Sequence, residues 1–156
     1  MSKAHVAQGL RLDEMDKQEA HRFLTGLLTN LDPEEEYAVR HPEDYVLEMP
    51  QSGERIRSRE RMRQFQESYS TLSPSDPMRR IRLRRVLVRE DLWVVEGIAD
   101  YDDEREDLNV VLILELRDGK MWRDRWYFAG PFEAPEWRAQ WVERQETCTR
   151  VQEGME

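Results

Sequence analysis

Apolar residues recur at helical spacing through the first half of the chain, then in β-branched-rich segments from Arg79 to Gly130. Ala20, Phe23, Leu24, Leu27, Leu28 and Leu31 fall on one face of a helix. Asp16, followed three residues later by Glu19, marks its start as a capping-box-like pair. Asp32-Pro33 opens a second helix: Asp32 caps it, and Pro33 suits a first-turn position that needs no amide hydrogen. Glu34, Glu35 and Glu36 then sit at the positive end of the helix dipole, and His41-Pro42 ends the helix. Asp44 to Met49 reads as a short strand closed by Pro50, with a turn over Gln51-Ser52-Gly53. Ser58 caps a third helix carrying Met62, Phe65 and Tyr69 on one face, and Ser73 to Pro77 is a loop. Four strands follow: Arg79 to Arg89, Leu92 to Tyr101, Leu108 to Arg117 and Lys120 to Ala129. Asp118-Gly119 fits a tight hairpin with positive φ, and the acidic run Asp100 to Asp107 is a longer hairpin loop.

Helices followed by a run of antiparallel strands predict an α+β domain, with three N-terminal helices packed in a strongly curved, mostly antiparallel sheet. Pro135 opens a C-terminal helical segment with Trp137 and Trp141 one turn apart. That segment, with Phe132, carries too much apolar area to leave in water, so it is expected to dock on the body or on a partner subunit. The 156 residues suffice for one core, and the organisation expected is a loose arm over 1–14, the domain over 15–144 and a polar tail over 145–156.

Charge narrows the function. Acidic residues outnumber basic ones 33 to 24, a net charge of −9, which argues against nucleic acid as a partner. Arginines do cluster at Arg55, Arg57, Arg59, Arg61 and Arg63, where a solvated surface is the commoner outcome and a local basic patch the alternative. The single cysteine, Cys148, excludes an internal disulfide and fits a reducing cytoplasm. No apolar run approaches the roughly 20 residues that span a bilayer, and the N-terminus lacks a signal-peptide core, so no membrane partner is expected.

Two segments, HPEDYVLEMPQSGERIRSRERMRQF and RDGKMWRDRWYF, resemble the first strand with its proline turn and the last hairpin of the nuclear transport factor two-like superfamily. The likeness spans roughly residues 15 to 130. This cone fold includes ketosteroid isomerases, SnoaL-like polyketide cyclases, limonene epoxide hydrolases and scytalone dehydratases, and also proteins without activity, so it does not fix function. The resemblance places the isomerases' general base at Met49, their neutral aspartic acid at Val111 and their helix-one tyrosine near Thr25; none of these groups is present. The epoxide hydrolases' aspartate falls on Trp126, and the strand histidines of scytalone dehydratases have no match, since His5, His21 and His41 all precede the first strand. The known catalytic sets are missing.

By the superfamily's register, Trp122, Asp124, Trp126 and Phe128 share the inward face of the last strand. Val111 and Ile113 are expected to point inward from the strand before it, and Val94, Glu96, Ile98 and Asp100 from the one preceding that. Tyr45, Leu47 and Met49 line the mouth. A carboxylate between two tryptophans is pushed toward neutral pKa by desolvation, which makes Asp124 the candidate acid or base, with Glu96 or Asp100 as a second carboxylate. The competing reading, and the commoner arrangement, pairs Asp124 with Arg123, Arg125, Arg82 or Arg84. His21 is read as a boundary residue, and the proline after His41 fans His41, Glu43 and Asp44 apart, so no metal and no cofactor is called for. Three functions compete: a cofactor-independent acid–base enzyme (isomerase, cyclase, lyase or hydrolase) on an apolar or aromatic metabolite; a non-catalytic ligand-binding or assembly module; and a structural role like that of the small subunit of aromatic-ring dioxygenases. Strands apolar on both faces predict a homodimer through the outer sheet face.

Overall fold

The computed structural model describes residues 9–30, 32–72, 80–100 and 107–143. The start of the arm, Leu31, the Ser73–Pro77 loop, Tyr101 and the interior of the acidic hairpin loop, and the tail with Cys148 lie outside them, as does the side chain of Tyr69.

Three α-helices form where capping and periodicity place them: α1 (Lys17–Asn30), α2 (Pro33–Val39) and α3 (Arg59–Leu72). The Asp16 carboxylate accepts from the amides of Gln18 and Glu19 at 2.8 and 2.9 Å, while Glu19 reaches back to the Asp16 amide at 3.0 Å. Asp32 accepts from the Glu34 amide at 3.0 Å. The strands are β1 (Val46–Met49), β2 (Glu54–Arg57), β3 (Arg80–Arg89), β4 (Leu92–Asp100), β5 (Leu108–Arg117) and β6 (Lys120–Ala129). They form one curved sheet in the order β2-β1-β6-β5-β4-β3, antiparallel throughout except where β1 runs parallel to β6. Strand β2 was not anticipated: its sequence, ERIR, has one apolar residue and reads as the approach to a helix. The hairpin at Asp118-Gly119 has φ values of 52° and 74°, as its residue pair requires.

One face of the sheet is covered by helices. Leu24, Leu27 and Leu28 of α1 and Val39 of α2 bury against Ile81, Val86, Trp93, Val95, Val110, Leu112 and Leu114. Leu12 joins this core, and its amide donates to the Gly119 carbonyl at 2.9 Å, so the described end of the arm is docked. Two bulges, at Leu83/Arg85 and at Glu115/Leu116, break the pleat and bend the sheet. The C-terminal segment forms a short 3-10 helix, Glu136–Trp141, and does not dock on this chain: Phe132, Trp137 and Trp141 are 77%, 72% and 71% exposed. Among the described residues no helix is long and apolar enough to cross a membrane.

Candidate functional site

The bulge opposite Glu115 and Leu116 decides which residues meet at the site. Leu116 pairs with Met121 and Glu115 with Arg123, so Trp122 is the extra residue and drops out of the alternation. Met121, Asp124, Trp126 and Phe128 therefore face the helices with Leu116, Leu114, Leu112 and Val110. Trp122 instead lies under the Arg117 guanidinium, 3.9 Å from the ring centre. Val111 and Ile113 belong to the opposite, open face, because the residues of β5 that bury are the alternate set. Glu96 is exposed and pairs across to Val111, and Asp100 holds Arg82 at 3.1 Å. Neither carboxylate reaches Asp124, so the expected inward register of β4 and β5 is reversed and Asp124 has no second β4 carboxylate beside it.

Leu47 pairs directly with Asp124 across the parallel β1–β6 ladder. Tyr45, at the foot of β1, is buried with Leu47 and Met62 of α3, and Ile56 and Trp126 pack against this cluster. Met49 shares the face of Leu47 and is half-buried. Of the twelve side chains expected around the cup beside Asp124, Tyr45, Leu47, Met49, Trp126 and Phe128 thus lie on the face that carries Asp124, and Trp122, Val111, Ile113, Val94, Glu96, Ile98 and Asp100 do not.

Asp124 is 2% exposed. Tyr45 Oη donates to its Oδ2 at 2.8 Å, and its Oδ1 is buried without a partner. Among the described residues Asp124 has no ion pair, and three of the four arginines expected to pair with it are engaged elsewhere. Arg123 forks onto Glu48 at 2.9 to 3.1 Å, Arg125 pairs with Glu115, and Arg82 holds Asp100 and Asp107, the last at 3.2 Å. Burial pushes the Asp124 carboxyl up to about 6, against the opposing pull of the Arg40 charge and the Tyr45 hydrogen bond. Burial likewise holds the Tyr45 phenol well above its ordinary value, so it stays a donor.

Behind Tyr45 is a polar group that sequence reading missed. Arg40, 2% exposed, sits 5.2 Å over the Tyr45 ring, pairs with the buried Glu36 and donates to Gln66 Oε1 at 3.0 Å. Gln66 in turn donates to Glu36 Oε2 at 2.7 Å. Burial raises the Glu36 carboxyl, with Arg40 pulling the other way. The one signal in the sequence was the four-residue spacing between Glu36 of α2 and Arg40 at its C-cap. Paired with Glu36, Arg40 favours the ionised form of Asp124 from a distance, without an ion pair to it.

His41 is a structural residue: its Nδ1 accepts from the amides of Glu43 and Asp44 at 3.3 and 3.1 Å, leaving Nε2 to face Asp118 at 3.3 Å. His21 is exposed. Among the described residues no three His, Cys, Asp or Glu side chains gather as a metal site would need.

Comparison with known proteins places this geometry. The SnoaL-like domain family matches residues 20–124. A nuclear transport factor two-like protein of unknown function from Burkholderia xenovorans is 26% identical, over 92% of this chain and 95% of its own, with a TM-score of 0.57. A candidate ketosteroid isomerase from Kribbella flavida is 28% identical, over 81% and 89%, with a TM-score of 0.67. An epoxide hydrolase of Mycobacterium tuberculosis similar to limonene epoxide hydrolases shares the fold at 18% identity, over 81% and 82%, with a TM-score of 0.53. No functionally curated protein matches the sequence.

Proposed function

The chain belongs to the SnoaL-like domain family, and on that premise we propose that it takes up a small apolar or aromatic molecule whose polar group meets Asp124. The reaction is proton transfer without a cofactor, in the cytoplasm. The observation that carries this reading is the unpartnered Oδ1 of a buried aspartate whose other oxygen is fixed by Tyr45. A lone pair left bare in a low-dielectric wall is costly unless a ligand donor meets it. Trp126 Nε1 is also buried without a partner among the described residues, two residues along the same face of β6. With a pKa of about 6, Asp124 is mostly ionised at neutral pH yet basic enough to take a proton from a carbon acid or hydroxyl and return it. Isomerisation, cyclisation, dehydration and hydrolysis all share that step.

A second reading has its own support. The open sheet face carries Leu87, Leu92, Val111 and Tyr127, each at least 38% exposed, and the C-terminal segment carries exposed aromatics of its own. A second copy covering this surface makes a homodimer that binds a ligand or assembles without catalysing. One experiment separates the two. Wild type and Asp124→Asn are surveyed by native mass spectrometry for a co-purified ligand, then incubated in deuterated water with a panel of aromatic and cyclic ketones. Catalysis predicts exchange at the carbon next to the carbonyl that vanishes in the variant. Exchange equal in both proteins, or a ligand retained equally by both, contradicts the role of Asp124.

A further inference from the structure

The arginine cluster between β2 and α3 is not a uniform solvated surface. Arg59 pairs with Glu60 at 3.4 Å and lies 4.3 Å over the Tyr37 ring, and Arg63 holds Glu67 at 2.9 Å and also pairs with Glu34. The alternate members differ: among the described residues, Arg55, Arg57 and Arg61 have no ion pair and no side-chain hydrogen bond. All three line one open groove of about 550 Å³, together with Ile56, Gln64 and Phe65. Strand β2 is the outermost of the sheet, so its alternating pair Arg55 and Arg57 stands at an outer edge, and α3 supplies Arg61, Gln64 and Phe65 as one stripe.

We propose that this groove binds a small organic anion with an apolar body, a phosphate or carboxylate ester-sized group on an aliphatic or aromatic frame. Three guanidiniums line one groove with no ion pair among the described residues, and an anion they share supplies the missing counter-charge. Guanidinium forks match phosphate and carboxylate oxygens bidentately. The apolar side is built as well: Ile56 is fixed against the buried Tyr45–Leu47–Met62 cluster, and Phe65 is 43% exposed at the groove. A wall of that kind adds affinity for a hydrocarbon body that inorganic phosphate lacks. The groove's size suits a single small molecule. A polyanion such as nucleic acid is disfavoured, because the cationic area is confined to one groove of a chain with net charge −9.

The test is calorimetric titration of the full chain, at low salt, with octyl phosphate and octanoate, against inorganic phosphate and octanol. The proposal expects both alkyl anions to bind at least about tenfold more tightly than either control. Arg55→Gln/Arg57→Gln/Arg61→Gln is expected to weaken octyl phosphate by at least about tenfold, and Arg55→Gln or Arg61→Gln alone by a smaller factor should the triple variant fold poorly. Arg63→Gln, which alters a guanidinium already engaged with acids, leaves the affinity unchanged. Phe65→Ala weakens octyl phosphate and not inorganic phosphate. The proposal is overturned if octanol matches the alkyl anions, if the arginine variants bind as the wild type does, or if a single-stranded oligonucleotide outcompetes octyl phosphate.

Discussion

Asp124 is defined by what holds one of its oxygens and what leaves the other bare. Tyr45 gives its hydroxyl proton to one oxygen, and that bond favours the ionised form. Tyr45→Phe therefore raises the Asp124 pKa further and destabilises the protein by about 1–3 kcal/mol, since a buried acceptor loses the one donor it has among the described residues. Thermal denaturation together with carboxyl titration by NMR checks both; an unchanged titration would show that the hydroxyl does not control the carboxylate. Asp124 itself was legible in the sequence, as a lone acid among tryptophans on a strand. Its surroundings were not. Arg40 follows the end of a short charged helix and reads as a solvent residue, and Glu36 reads as a helix-dipole acid. Only the tertiary fold brings both beneath Tyr45.

At the scale of elements, the helices and long strands were readable because caps, periodicity and the Asp118-Gly119 turn agree with one another. The register was not, because apolar residues occupy both faces of β4 and β5 and a bulge shifts parity without leaving a mark in the residue types. The expected neighbours Val111, Glu96 and Asp100 fell on the wrong face for that reason. The bend at Leu83/Arg85 has a residue that permits it: a Cβ on Gly97 would lie 2.6 Å from the Arg82 carbonyl oxygen. Backbone cannot yield there as a flexible side chain does. Gly97→Ala is expected to cost about 1–3 kcal/mol, by overpacking. Chemical denaturation measures it, and a neutral effect would mean that the strands separate at no cost.

At the scale of the whole molecule, two surfaces call for a second copy: the open sheet face and the C-terminal aromatics. Light scattering at micromolar concentration is expected to give a dimer mass, and Tyr127→Asp or truncation after Gly130 to shift the equilibrium toward monomer. A monomer mass independent of concentration contradicts that assembly. Whether Asp124 is a desolvated acid or half of an ion pair is also readable in global stability. Its pKa is raised from an ordinary 3.8 to about 6, so between those values the folded state binds a proton that the unfolded state has released. The stabilisation from the protonated form is present below about pH 4 and is lost as pH rises through about 6, amounting to roughly 3 kcal/mol. Asn cannot ionise, so Asp124→Asn lacks this loss. The decisive measurement is unfolding free energy against pH for wild type and Asp124→Asn. The account predicts that the variant matches wild type near pH 4 and is more stable by up to about 3 kcal/mol at pH 8. A variant less stable than wild type at pH 8, with the deficit shrinking as pH falls, would show a carboxylate held by Arg40 and contradict it.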